Sequence, residues 1–131
     1  MLQSKPKLPT FEEIRRAVPP ICFEKSLTKS LAFLVLDCLI LFGLYKVVAV
    51  FESSGIFGLF VWYCLVGMFG SSLFVIGHDC GHGTFSEYVW VNDFFGHIAH
   101  APLLAPYWPW QKSHRQHHQY TSHIDKDMVC S

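Results

Sequence analysis

Charge is scarce in this 131-residue chain. Asp, Glu, Lys and Arg make up 15% of it, against about 25% in an ordinary soluble domain. Between Ile56 and Gly77 there is no charged residue at all. With 51% hydrophobic residues and 12 Phe, this argues against an ordinary soluble domain and points to a membrane protein or a piece of one. Paired cysteines are also lacking. The five cysteines (Cys22, Cys38, Cys64, Cys80, Cys130) are odd in number and widely spaced, with no CxxC among them, so a disulfide scaffold is not expected. Cys38 and Cys64 fall in apolar stretches, where a free thiol acts as a small hydrophobe. The first 30 residues hold no apolar core of a cleavable signal peptide, so membrane targeting falls to internal segments. No internal repeat or low-complexity tract occurs. The formal net charge is zero, and no nucleic-acid partner is expected.

The residues that are present order themselves along the chain. Met1–Pro9 is polar and Pro-bearing and reads as disordered. In "PTFEEIRRAV" (Pro9–Val18), Thr10 and Glu13 form a capping box, and Pro19-Pro20 stops the helix that follows. Phe11, Ile14 and Val18 give it one apolar stripe beside Arg15 and Arg16. An interfacial helix and a solvated leader helix both fit. Residues 31–51 are long enough to cross about 30 Å of hydrocarbon, with Lys46 free to snorkel and Asp37 needing a partner or water. "ESSG" (Glu52–Gly55) is a turn. Residues 56–77 form the clearest predicted transmembrane helix. Two spans joined by so short a turn make a hairpin with both ends on one side. Six basic residues against three acidic ones before Leu31 mark that side as cytosolic. Residues 89–110 are apolar but broken by Asp93, Gly96, three prolines and two histidines. They are predicted to be amphipathic or re-entrant rather than spanning, which returns His114 to the side of His78. The fold class expected is an all-α membrane protein: a transmembrane hairpin plus amphipathic or re-entrant helices.

Two phrases, "GHDCGHGTFS" (Gly77–Ser86) and "KSHRQHHQYTSH" (Lys112–His123), hold six of the eight histidines. His78 and His82 lie one turn apart on one face if the second span continues past Ile76. His114 can stack with His117 or His118, while that adjacent pair diverges by about 100°, which suits two metal ions better than one. Imidazole suits Zn, Cu, Fe and Ni. A zinc hydrolase of the HExxH type needs Glu where this chain has Asp79, and structural zinc closes with four ligands. A two-iron, oxygen-activating centre fits the histidine count better. Asp79 is a candidate to orient a ligand imidazole, with His82 or a later histidine as its partner because His78 is adjacent. His97 and His100, in the apolar segment, either orient ligands or bond backbone at an interface. His123 reads as exposed or peripheral, and Cys80 points to another face.

"HDCGH" followed by "HRQHH" resembles the first two histidine boxes of membrane fatty acyl desaturases. "RRAVPPICFEKS" (Arg15–Ser26) and "FSEYVWVNDFFGHIAHAPLLAPYWPWQKSHRQHH" (Phe85–His118) are similar to the methyl-end group, the delta-12 and omega-3 enzymes. The likeness runs from about Thr10 to Asp127. Gly81 and His100 resemble the delta-12 pattern more than the omega-3 pattern. The resemblance implies that His78, His82, His114, His117 and His118 are ligands of a two-iron site. That site would use O2 to place a cis double bond in an acyl chain, with electrons from NADH through cytochrome b5 and its reductase. It implies a multi-pass protein of the endoplasmic reticulum membrane, N-terminus and histidine boxes cytosolic. Residues 1–30 would be a cytosolic segment and 31–131 the N-terminal part of the desaturase domain.

The third histidine box and second hairpin of that family are missing from the 131 residues, which stop at "DKDMVCS" (Asp125–Ser131). A truncated desaturase is therefore expected, either part of an active enzyme or a catalytically silent hairpin that binds metal or a full-length partner. A hydroxylase or acetylenase outcome and an intramembrane zinc hydrolase are the remaining alternatives.

Overall fold

The capping box at the N-terminus forms. In the computed structural model, which describes residues 8–128, Thr10 Oγ1 accepts from the Glu13 backbone N–H at 3.3 Å. The Glu13 carboxylate accepts from the Thr10 backbone N–H at 2.7 Å. Helix α1 (Phe11–Ala17) follows and stops before Pro19 and a 3-10 turn over Pro20–Phe23. The disorder expected for Met1–Pro9 lies mostly outside the described residues, as does the "VCS" end.

Helix α2 covers Leu27–Lys46 rather than 31–51. Its start is set by a cap, not by apolarity: the Ser26 side chain accepts from the Lys29 N–H, one of the donors a helix N-terminus leaves unpaired. Its end is a break at Val47, after which the short helix α3 (Val48–Ser53) changes direction. At that break the Trp62 indole donates to the Leu44 carbonyl at 2.8 Å, pairing one of the acceptors a helix C-terminus leaves open.

Helix α4 runs over Gly55–His82, past the expected boundary at residue 77. At 1.5 Å per residue its 28 residues span about 42 Å. Gly83, in the left-handed region with φ 71°, ends it. The Gly83 N–H donates to Cys80 O and the Thr84 N–H to Asp79 O, both at 2.9 Å, a glycine-capped helix end. Among the described residues, α2 and α4 are long and apolar enough to cross a membrane. Their outward faces carry large apolar side chains: Phe33 is 64% exposed and Phe57 74%. Patches of this kind call for lipid or a protein partner.

The segment 89–110 is not one element. Helix α5 (Val89–His100), a 3-10 turn over Ala101–Leu103 and the start of helix α6 (Tyr107–Tyr120) share it. The chain descends beside α4 and returns. Cys80, Gly83 and Val89 border one cleft, Leu103 lies against Gly70, and Trp110 lies back against Gly81. From Gly83 to Gly70 that is a dip of about 20 Å. At its bottom Leu104 turns the chain with φ 55°, and the Leu104 and Ala105 N–H groups donate to Ala101 O and His100 O. All described elements are helical, and no strand occurs among the described residues.

The core is built on α4, with Leu34 of α2 on one side and Phe85, Val91, Ala99 and Tyr107 of the α5–α6 region on the other, around Leu73 and Cys80. The loop before α5 is held by Asn92. Its Oδ1 accepts from the Ser86 N–H at 2.9 Å, and its Nδ2 donates to Ser86 O and Tyr88 O at 2.9 and 3.0 Å. Asn92→Ala leaves these buried groups unpaired and is expected to cost about 2 kcal/mol. A lowered unfolding midpoint in detergent micelles, with faster amide exchange at Ser86, checks this.

Candidate metal centre

The histidine positions follow from two helices. Because α4 continues to His82, His78 and His82 share one face a turn apart. On α6, Gln111, His114, Arg115 and His118 recur at i, i+3, i+4 and i+7 and form one stripe. That stripe docks on the end of α4. Gln111 Nε2 and Arg115 Nη2 both donate to Gly81 O at 3.3 Å, one of the last carbonyls of α4, which lack partners within the helix. Capping one helix with the other brings His114 and His118 against His78 and His82.

The four rings converge through Nε2. His78 and His82 stand 3.2 Å apart at these atoms, His82 and His114 3.1 Å, and His114 and His118 3.0 Å. Their ligand atoms all lie within 4.8 Å of one another. A neutral imidazole nitrogen carries either one hydrogen or one lone pair. His82 Nε2 and His114 Nε2 each face two other nitrogens, so hydrogen bonds alone would put two donors on one lone pair. A cation accepts all four lone pairs at once. Ligands at 2.0–2.1 Å from a tetrahedral ion lie roughly 3.3 Å from one another, close to the spacings found. The residues present fit a metal ion.

Electrostatics keeps a nitrogen bare. Burial first, then the neighbouring His78, His118, His82 and His117, pushes the His114 pKa down from 6.5 to about 4. His114 is therefore neutral at pH 7, as a ligand must be.

His114 is also held from behind. Its ring stacks on Trp110 at 4.8 Å and 15°. Trp110 in turn packs on His100 at 4.6 Å and on Phe74 at 5.3 Å. His100 is wholly buried and lies against Gly77, where a Cβ would overlap its ring. Its Nδ1 bonds Gly96 O at 3.1 Å.

The remaining candidates stand apart from the cluster. His117 turns away and bonds Asp127 through Nδ1, at 2.8 and 3.0 Å to the two carboxylate oxygens. His97 is exposed and bonds Asp93 O through Nδ1 at 2.7 Å. His123 is exposed. Cys80 is buried in the core. The expected partner of Asp79 needs correcting. Its carboxylate lies 3.6 Å from Nδ1 of its neighbour His78, where His82 or an α6 histidine was expected. Trp110, Gln111, Arg115 and Asp127 were not singled out from sequence. The stripe on α6 was a legible signal for Gln111 and Arg115, and Trp110, one turn before His114, shares that face; Asp127 had none.

Cobalt titration of the purified chain, followed by its visible spectrum, should show binding that His82→Ala lowers by more than the 10- to 100-fold typical of losing an outer partner. His123→Ala should leave it unchanged. A pH effect follows in the metal-free chain. The folded pKa of His114 lies below its unfolded value, so the unfolded chain takes up the proton more readily. Stability is full above about pH 6.5 and falls as the pH drops towards about 4. Unfolding midpoints at pH 7.5 and 5 should differ more for the wild type than for His114→Gln.

Residues 54–131 match the family model for fatty acid desaturases. The chain is 54% identical over 123 residues to the Delta(12) fatty acid desaturase fat-2 of Caenorhabditis elegans, covering 93% of this chain and 33% of that protein. It is 54% identical over 121 residues to the Omega-3 fatty acid desaturase fat-1 of the same organism, covering 92% and 30%. To an sn-1 acyl-lipid omega-3 desaturase (ferredoxin) of Nostoc sp. it is 45% identical over 122 residues, covering 92% and 33%. No solved structure matches. The chain spans about a third of the length of these curated relatives. With a family match over more than half its residues, centred on the two helices that bring the histidines together, the chain belongs to the fatty acid desaturase family.

Proposed function

We propose that this chain supplies the first part of the iron site of an O2-dependent fatty acyl desaturase. The observation that carries the reading is the convergence of four Nε2 atoms from α4 and α6. His78, His82, His114 and His118 hold one iron, and His117, diverging from them on α6, serves a second. Bound iron supplies the O2 chemistry by which hydrogens leave an unactivated acyl chain. The balance is closed by two electrons and two protons: the acyl chain gives up two hydrogens to leave a cis double bond, and O2, taking these with the two further electrons and protons, departs as two waters. NADH is the electron source, through cytochrome b5 and its reductase.

The apolar surroundings suit an acyl substrate. A trough of about 480 Å³ between α2, α4 and the bottom of the dip is lined by Leu41, Gly70, Leu73, Phe74 and Leu103 among others. It ends at Phe74, which touches both His100 and Trp110. In this reading α2 and α4 cross the endoplasmic reticulum membrane, with the basic N-terminus and the histidines cytosolic, so that a membrane-dissolved chain and a water-soluble donor both reach the metal. Gly81 and His100 favour the delta-12 outcome over omega-3. In a second reading, carried by the four clustered histidines alone, residues 1–131 bind metal without turnover.

The protein encoded by the gene that carries this segment, expressed in yeast, should produce a diunsaturated C18 acid, and His114→Ala should abolish it at unchanged protein abundance. No new double bond from the wild type overturns the reading. Residues 1–131 expressed alone separate the two readings: product formation sinks the silent one.

A further inference from the structure

Asp127 lies outside the four-histidine cluster and outside both histidine boxes, yet it is wholly buried. The chain after α6 is folded around it. Both carboxylate oxygens face His117 Nδ1, at 2.8 and 3.0 Å. The Ser122 N–H also donates to Oδ2 at 3.0 Å. To present that N–H, Ser122 adopts φ 64°, a left-handed conformation that a residue with a Cβ holds only under constraint. The Asp127 N–H donates to His123 O at 3.0 Å, and Gln116 Nε2 donates to Lys126 O at 2.9 Å. Five residues of strained, tied loop thus deliver one carboxylate to one imidazole.

The polarity of that contact has a consequence. A carboxylate only accepts, so His117 Nδ1 must carry the hydrogen. In the neutral ring the lone pair then sits on Nε2, the side of the ring away from Asp127. A carboxylate on the far nitrogen also makes a ligating imidazole more basic and fixes its plane.

We infer that Asp127 is a positioning residue that sets the tautomer and orientation of His117, presenting its bare Nε2 to a cation distinct from the one held by His78, His82, His114 and His118. This rests on the proposed metal-binding function, and the experiment separates the two. In micelles with 15N-labelled histidine, the wild-type chain should show His117 with Nδ1 protonated and Nε2 bare, the resonance being assigned by its loss in His117→Gln. Asp127→Asn keeps the shape but offers an amide hydrogen, and should move the proton to Nε2. Asp127→Glu should keep the wild-type tautomer. On zinc titration the His117 Nε2 resonance should shift in the wild type and in Asp127→Glu, and the zinc affinity read there should drop about 10- to 100-fold in Asp127→Asn. A wild-type His117 protonated on Nε2 overturns the inference, even if the Asn variant fails to fold. So does an Asp127→Asn chain with unchanged tautomer and unchanged zinc response. The wild-type tautomer as expected, with no zinc effect at any of the four clustered histidines, supports the role of Asp127 and overturns the metal reading instead.

Discussion

The close approach of α5 and α6 to the Gly77–Gly81 face of α4 is the constraint on which the rest of the structure depends. A Cβ at Gly77 would overlap the His100 ring, and one at Gly81 would press on Trp110. Because neither position has a side chain, two aromatic rings occupy space that would otherwise be filled. The rings form a column from His100 through Trp110 to His114. The glycines are spaced i, i+4, one turn apart, as are His78 and His82, so the same helical pitch that sets the ligand pair sets the seats that support its partners. Glycine within a helix costs roughly 1 kcal/mol against alanine; here the cost is offset by the packing it admits.

The choice of imidazole over carboxylate at this end of α4 has an electrostatic logic. The cluster stands next to apolar sequence, where isolated ions are expensive. Neutral imidazoles can be gathered there without charge, whereas four carboxylates at the same spacing would repel one another. Once gathered, they resist protonation: each further positive ring would face the others at about 3 Å, and the low pKa of His114 expresses that crowding together with burial. The cluster is therefore held neutral rather than as several protonated rings. Arg115, beside it, is turned to the Gly81 carbonyl, where the negative end of the α4 dipole receives it.

The legible parts of the fold were those written in periodicity. The two long apolar helices, the Thr10–Glu13 box and the histidine spacings follow from local rules and are found in the structure. The boundaries of α2 were less legible because apolarity marks where a helix is greasy, not where it begins. Ser26 caps the helix five residues before the apolar run, and the break at Val47 falls inside it. The extension of α4 to His82 was open in the sequence; it passes through Gly77 and Gly81, weak helix formers against which partner rings pack. Segment 89–110, expected to be amphipathic or re-entrant rather than spanning, is divided among α5, a 3-10 turn and the start of α6. That His100 and Trp110 face each other across its turn depends on Leu104 adopting φ 55°, which no local preference of Leu announces. Asp127 was invisible for the same reason: its value lies in a contact ten residues back, made by a loop without periodicity.

One helix also joins the histidine cluster to the apolar trough. Gly67 and Gly70 border the trough, Gly77 and Gly81 seat the rings, and Phe74 stands between them, touching His100 and Trp110 on one side and lining the trough on the other. Phe74 and His78 are four residues apart, one turn or about 5.4 Å along the axis. An apolar cavity thus ends within one turn of the first metal-ligand candidate, and the separation is fixed by α-helical pitch rather than by a loop. A loop could bring the same groups together, but its backbone freedom would let the distance vary. Placing both on α4 makes the register between trough and metal a property of hydrogen-bonded backbone. Helices α5 and α6, packed on the glycine face, and α2, which lines the trough with Leu41, then need only close the two sites from outside.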